Sequence, residues 1–424
     1  MKKRILIASY YFPPNIGTGS PRPYSWAKHF AKKGHEVVVV TRHWEGNDNT
    51  WDDYTGSTKI NEVKSVSMEG FEVVYLPYKK YEYPKNGLIR KFETFTSLVN
   101  GELEREVDTM QFYPYIKNRL KQEKFDLAIT SAPPWNMVKL GHTITKDFGV
   151  PAVSDFRDYE LDMVLNQKPT PTWGRKIEFL IDRYFITNWL KNCAFIVSAS
   201  KPMGDYLTER TGKDNIEVLN GYDAALLEGA KKKNGSNKFT ISVLGYIYPP
   251  QQLDILFKGF ELFLNKYPNP DLIFKFIGLE AIPAVAQKIK DRMPDGLIKT
   301  TKRVSMEESL EIGHQSHVLF YPGWKDWIGM YSAKIATYIG LCKNILIAPG
   351  DGDVLNEIME ETKAGVVADT PEQFCNQLKR WYEEWLASGD LDFLGKTEKT
   401  KFYSREYQAE YFLNELDKRV FSNT

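Results

Sequence analysis

Between the first apolar run of the chain and its first amphipathic segment lies Tyr11-Phe12-Pro13-Pro14-Asn15-Ile16-Gly17-Thr18-Gly19-Ser20-Pro21-Arg22. Gly17, Thr18 and Gly19 are small enough for a ligand to approach the backbone. A phosphate or sugar oxygen there would meet the free amides of a helix start and the guanidinium of Arg22. A plain tight turn uses the same glycines, and the spacing is not GxGxxG, so a nicotinamide dehydrogenase is not indicated. Asp155-Phe156-Arg157-Asp158 is a second candidate. It follows a strand, where Asp155, Arg157 or Asp158 can face a reacting group, or where an Asp–Arg pair holds the loop. His142 reads as structural. His314 and His317 are spaced as neighbours on one helical face, but no carboxylate or third ligand stands at metal spacing, and no metal site is expected.

The elements that must hold these residues alternate. Residues 4–9 read as a strand, a helix starts near Ser20, and Val37-Val38-Val39-Val40 is a second strand, which makes a βαβ unit. Ser20 is the expected cap, Pro21 suits the first turn, Trp26 and Phe30 share a face, and Gly34 ends the helix. After a polar stretch (47–64), strands are expected at 125–130, 150–154, 195–198 and 216–219, the last ending at the turn Asn220-Gly221. Residues 229–238 read as an exposed connection. The pattern then restarts, with strands at 239–244, 272–277, 318–321, 344–348 and 365–368 and helices at 251–266 and 281–293. The expectation is two doubly wound Rossmann-like domains, each with its ligand edge at the carboxyl ends of its strands and with a cleft between them. The boundaries are read as 1–222, 223–401 and a terminal segment, 402–424. That segment carries Tyr407, Tyr411, Phe412 and Leu416 at helical spacing.

Composition narrows the class. A chain of 424 residues, 42% hydrophobic and 26% charged, should bury sizeable cores as a soluble protein. Lys plus Arg (56) almost cancels Asp plus Glu (55), which gives no reason to expect nucleic acid as a partner. Three cysteines without CxxC or Cys/His spacing support neither disulfides nor zinc and suit a reducing, cytoplasmic setting. No run is long enough for a signal core or a membrane span.

Several ordered motifs together resemble the family-4-like glycosyltransferases of bacterial cell-surface polysaccharide synthesis. They are Tyr11-Phe12-Pro13-Pro14 with Gly17, Gly19 and Arg22, then Gly34-His35-Glu36-Val37, Ser131-Ala132-Pro133-Pro134, Asp155-Phe156-Arg157-Asp158 and Asn220-Gly221-Tyr222-Asp223. Later come Val243-Leu244-Gly245-Tyr246-Ile247-Tyr248, Arg303-Val304-Ser305 and Gly329-Met330-Tyr331-Ser332-Ala333-Lys334. The resemblance spans nearly the whole chain. It implies a GT-B fold, donor binding chiefly by the C-terminal domain, acceptor binding chiefly by the N-terminal domain, retention of configuration and no cofactor or obligatory metal. The co-substrate is then a nucleotide-diphosphate sugar, and the acceptor a glycan or lipid-linked hydroxyl, in assembly of a surface polysaccharide. It also implies that the terminal helix crosses back onto the first domain.

The resemblance puts Lys334 at the position of a basic residue that contacts the donor diphosphate, and Arg157 roughly where some relatives carry a histidine beside the sugar. Donor contacts are implied for Gly245, Tyr246, Arg303, Gly329, Met330, Tyr331 and Thr337. Two departures stand out. Gly329 and Thr337 occupy positions where many relatives have glutamates, the second of which binds the ribose. Tyr246 and Gln251 or Gln252 stand near the family's usual Arg/Lys pair, which leaves the phosphate charge to Lys334 with help from Arg22, Arg303 or Lys325. Asp351-Gly352-Asp353 looks like the DxD of a different glycosyltransferase fold, but Asp353 precedes an apolar helical run and reads as its cap. Segment 170–190, rich in aromatic and basic residues, suits either contact with a membrane-borne acceptor or ordinary core packing. The setting implied is cytoplasmic, with peripheral contact at the inner face of the membrane. Two other classes remain open: a catalytically weakened member that binds glycans or partners, and a sugar-nucleotide epimerase or phosphorylase on the same architecture.

Overall fold

A computed structural model describes residues 1–46, 50–102, 104–158, 172–230, 237–324, 327 and 329–423. The chain divides into two compact units, Met1–Leu219 with Ala409–Thr424, and Asn220–Gln408.

In the first unit, β1 (Arg4–Ser9), β2 (Glu36–Arg42), β3 (Lys64–Met68), β4 (Phe71–Leu76), β5 (Leu127–Ala132), β6 (Ala152–Phe156), β7 (Ile196–Ser198) and β8 (Asn215–Glu217) form one sheet. Its order is β3-β4-β2-β1-β5-β6-β7-β8. Every pairing is parallel except β3 with β4. The parallel strands are apolar on both faces because helices cover both. Ile5, Ile7, Val37 and Val39 enter one core, and Leu6, Ala8, Val38 and Val40 enter the other. The hairpin β3–β4 lies just past the polar stretch and was not expected. Its turn, Glu69 (φ 45°) and Gly70 (φ 90°), has both central residues in the left-handed region, which matches the twist of paired strands.

The second unit contains β9 (Phe239–Leu244), β10 (Leu272–Ile277), β11 (Ile298–Thr300), β12 (Val318–Pro322), β13 (Asn344–Ala348) and β14 (Gly365–Val367). They form an all-parallel sheet in the order β11-β10-β9-β12-β13-β14. Both sheets thus grow outward from a central pair, β1/β5 in one unit and β9/β12 in the other, and reverse winding there. Ligand crevices of doubly wound sheets open at such a switch, at the carboxyl ends of the strands.

Helix Pro21–Lys32 buries Trp26 and Phe30 against β1 and β2 as its spacing predicts. The same two rings receive Phe412 of helix Arg405–Arg419, with centroids 4.8 and 5.8 Å away. Leu416 is buried in that core as well, whereas Tyr407 is exposed.

Three local expectations are corrected. Ser20 does not cap the first helix; its hydroxyl donates to Asn15 Oδ1 at 2.9 Å instead. Asp353 precedes helix Val354–Thr362 without capping it. The acceptor is Asp351, whose carboxylate receives the amides of Asp353 and Leu355. His314 and His317 do not share a helix face, because the helix ends at Gln315. His317 is buried, accepts the Thr240 amide at Nδ1 (2.9 Å) and stacks on Phe239. Burial pushes it down to about 4, so it is neutral at physiological pH.

Candidate functional site

In the first unit the loops leaving β1 and β5 and the end of β6 come together. Asn15, buried, organises the first loop: its side-chain oxygen accepts from the Gly17 amide and from Ser20. Arg22 does not reach out from this loop. Only 5% exposed, it binds both carboxylate oxygens of Asp155 through Nε (3.0 and 3.2 Å), donates again to Asp155 at 2.7 Å and reaches the Val218 carbonyl at 2.6 Å. Ser131 donates to the remaining lone pairs of Asp155 at 2.7 Å. The expectations that Arg22 binds phosphate and that Asp155 faces a reacting group are therefore corrected. Each is consumed by the other, and the pair ties β5, β6 and the first helix into one rigid edge.

Arg157, half-buried, is the cation this edge presents. Its guanidinium lies 4.6 Å over the Tyr11 ring and donates to the Pro133 carbonyl at 2.7 Å. A Cβ at Gly19 would fall 1.7 Å from its Nη1. The glycine expected to admit a ligand instead makes room for Arg157. Thr18 and Asp158 are exposed at the same edge.

A residue that the sequence reading passed over joins this group. Glu104, with φ 47°, accepts the amide of Trp135 ahead of helix Asn136–Phe148 at 2.7 Å. The residue as a whole is exposed, but desolvation of its carboxyl, helped by Asp182, raises it to about 7 against the opposing pull of the Trp135 amide and Arg157. Nothing local marks it, since it sits in an irregular segment and gains its neighbours only through tertiary contact.

In the second unit the loops after β9 and β12 flank the switch point. Helix Ala333–Gly340 starts just after the β12 loop with no side-chain cap from Ser332 and no acidic residue in its first turn. Lys334 stands in that turn. Its Nζ donates to the Tyr246 carbonyl in the β9 loop at 2.6 Å and lies 6.0 Å from the Tyr321 ring centroid. Gly245 has φ 80°, a left-handed conformation that favours glycine, and a Cβ there would be in ordinary contact with Lys334 Cε at 3.6 Å. Among the described residues no carboxylate pairs with Lys334, and burial alone lowers it to about 8. A cation kept without a counter-charge beside uncapped amides is built to receive an anion.

Gln251 does not replace the missing cationic pair. It is buried and staples the two loops, accepting from the Tyr248 amide and donating to the Pro322 carbonyl. Tyr246, Tyr248, Trp324 and Trp327 form a chain of ring contacts at this edge. Gly329 has φ 75°, Met330 is half-buried and Tyr331 is buried. Thr337 spends its hydroxyl on the Ala333 carbonyl of its own helix at 3.0 Å. Arg303 is exposed beyond β11, two strands from β9 in the sheet order. Lys325 lies outside the described residues. Among the described residues no cluster of three or more His, Cys, Asp or Glu side chains is arranged to hold a metal ion. A cavity of ≈ 670 Å³ lined by Lys3, Phe125, Asp126 and Val150 lies at the amino ends of β1, β5 and β6, the edge opposite these loops.

No protein-family model and no curated protein matches the sequence. Solved structures do match in fold. Sucrose-phosphate synthase from Thermosynechococcus elongatus superposes with a TM-score of 0.66 at 12% identity, over 100% of both chains. A glycosyltransferase from Rickettsia africae gives 0.61 at 13% identity over 99% of both chains. HepE from Anabaena, solved with UDP and glucose, gives 0.61 at 10% identity over 98% of this chain and 100% of its own. The fold is therefore GT-B, mixed α/β with two parallel, Rossmann-like sheets.

Proposed function

We propose that the chain is a glycosyltransferase that moves a sugar from a nucleotide-diphosphate donor to the hydroxyl of a glycan or lipid-linked acceptor, with retention of configuration and without a metal, in surface polysaccharide assembly. The observation that carries this reading is Lys334: an ammonium without a carboxylate partner among the described residues, at an uncapped helix start, on the switch point of a Rossmann-like sheet. The GT-B fold supports it, as does the binding of UDP and glucose by HepE.

In this reading the donor diphosphate lies against Lys334 and the first amides of helix Ala333–Gly340. The acceptor oxygen attacks the anomeric carbon on the face that the diphosphate leaves. The bond from that carbon to the diphosphate oxygen breaks, its electron pair stays on the diphosphate, and the same oxygen takes the acceptor proton. Charge on the leaving group grows as the bond breaks, so a fixed ammonium stabilises the transition state more than the ground state. Tyr246, Gly245 and the aromatic side chains beside them shape the donor pocket. With Thr337 bonded into its own helix, no carboxylate from that position grips the ribose. Arg157, Asp158, Thr18 and Glu104 are among the polar groups that the first unit offers to an acceptor.

The test is turnover of a panel of nucleotide sugars by wild type and by a folded Lys334→Ala protein. The variant should be slower by on the order of a hundredfold to a thousandfold. Equal rates would remove the phosphate role, and sugar epimerisation without an acceptor would replace transfer as the activity.

A further inference from the structure

Two helices of the first unit turn their apolar faces outward. In helix Gly87–Asn100 the exposed apolar residues are Leu88, Ile89, Phe92, Phe95 and Val99, and all but Ile89 are spaced at four, three and four positions. That spacing is one face of a helix, and the buried residue Ser97 falls on the opposite face. The usual amphipathic arrangement is thus inverted: a hydroxyl faces the protein and two phenylalanines, 68% and 65% exposed, face solvent. Helix Trp173–Leu190 repeats the pattern with Trp173, Ile177, Leu180 and Tyr184, all more than half exposed, at the same spacing. Its inner face is formed by Phe179, Ile186 and Trp189. Packing into this protein's own core, the simpler expectation for the segment, accounts for the inner face and leaves the outer one without a partner among the described residues.

The helices adjoin. Gly101, the left-handed residue that ends the first, lies against the Phe185 ring of the second so closely that a Cβ would sit 2.6 Å from it. Lys139 donates to the Asn100 and Gly101 carbonyls and lies 5.6 Å over Trp189. Exposed apolar residues this numerous on two neighbouring helices mark an interaction surface.

Charge says what covers it. Residues 79–100 carry five lysines or arginines against two glutamates, and 173–190 carry three against two. At about 100° per residue, Lys91, Lys176 and Arg183 flank the apolar stripes, Glu93 and Asp182 fall further round toward the protein, and Arg90 and the exposed Glu178 lie off the stripes. Apolar stripes with aromatic residues and a cationic border suit the boundary between acyl chains and anionic headgroups. No described helix is long and apolar enough to cross a membrane. We propose that these two helices form a docking surface for an anionic lipid bilayer, and that the first unit binds the membrane through it. This inference stands on the helices alone and does not rest on sugar transfer.

The experiment is flotation of the full-length protein with vesicles of phosphatidylglycerol and phosphatidylcholine, and with phosphatidylcholine alone. Wild type should float with the mixed vesicles and bind at least tenfold less to the neutral ones or at high salt, where screening removes the headgroup attraction. Burying one side chain of this size is worth roughly tenfold or more in partition. Phe92→Ser/Phe95→Ser and Leu180→Ser/Tyr184→Ser should therefore each bind at least tenfold more weakly. Leu386→Ser, an exposed leucine of the second unit, should bind like wild type. Failure of wild type to float with mixed vesicles would overturn the proposal, and so would double variants that fold and float normally. A wild-type dimer that dissociates in the double variants, without flotation, would assign the surface to a second copy of the chain instead. Should a variant not fold, the dependence of wild-type binding on lipid charge and salt still decides. Nucleotide binding, measured on the same samples, separates this result from the fate of the transferase reading.

Discussion

Lys334 donates to the main-chain oxygen of Tyr246 at 2.6 Å, a contact that spans 88 positions and couples the loop after β9 to the helix that follows β12. The bond orients the ammonium without neutralising it. A carbonyl dipole is a weak counter-charge, and burial leaves the group at about 8. The following expectations turn on this and related contacts.

Binding of a diphosphate should return Lys334 to its ordinary range and draw in a proton. At pH 8.5, where a group titrating at about 8 is mostly deprotonated, calorimetry of a nucleoside diphosphate in two buffers of different ionisation heat should show uptake of roughly three-quarters of a proton per complex. Lys334→Ala should show none. Equal uptake in both proteins would place the titrating group elsewhere.

The same shift has a consequence for stability. A lysine whose folded value lies below its unfolded one destabilises the charged folded state fully below about pH 8, and the penalty is relieved as pH rises toward 10.5. The stability of Lys334→Met relative to wild type should be constant from pH 6 to 8 and fall between 8 and 10.5. Denaturant unfolding across that range measures it, and a flat difference would contradict the shift.

For Glu104 the sign is reversed. Its carboxyl titrates near 7 when folded and near 4.5 when unfolded, so its contribution is lost as pH rises from 4.5 to 7 and is level above. Glu104→Gln keeps an acceptor for the Trp135 amide and removes the charge. Relative to wild type it should gain stability across that window, read as unfolding midpoints at pH 5, 6, 7 and 8. No change with pH would show that the carboxyl titrates normally.

Arg22 and Asp155 are a buried pair, and cutting it from one side leaves an uncompensated charge. Asp155→Ala should cost about 3–5 kcal/mol of unfolding free energy, while nucleotide binding by a protein still folded at low temperature stays near the wild-type value. Selective loss of nucleotide binding with stability intact would return the pair to the functional site.

Thr337→Glu tests the ribose position. If the ribose lies beside this helix turn, the new carboxylate should tighten nucleoside diphosphate binding, whereas a phosphate lying there would be repelled. Titration of both proteins with the same nucleotide distinguishes the two, and unchanged affinity would move the ribose away from Thr337.

What the sequence determined by itself was the alternation of strands and helices. Val37 to Val40 can only be a doubly buried strand, and the run 239–244 starts a second series, because burial on both faces leaves an uninterrupted apolar signature. The Gly17–Arg22 and Asp155–Asp158 segments were legible as strand-end loops for the same reason. Their chemistry was not. Whether Arg22 meets a ligand or Asp155 depends on partners 133 positions apart, and no local pattern encodes such a pairing. Lys334 was visible only through its resemblance to a family position, while its lowered pKa comes from the β9 loop folding over it. Glu104 carries no sequence signal, since its environment is assembled from the segment after residue 100, the start of helix Asn136–Phe148 and Arg157. Composition marked residues 170–190 as aromatic and basic, which left membrane contact and core packing both open. Which side chains the protein covers is decided by what packs against them, and here tertiary structure buried Phe179, Ile186 and Trp189 and left Trp173, Ile177, Leu180 and Tyr184 outside.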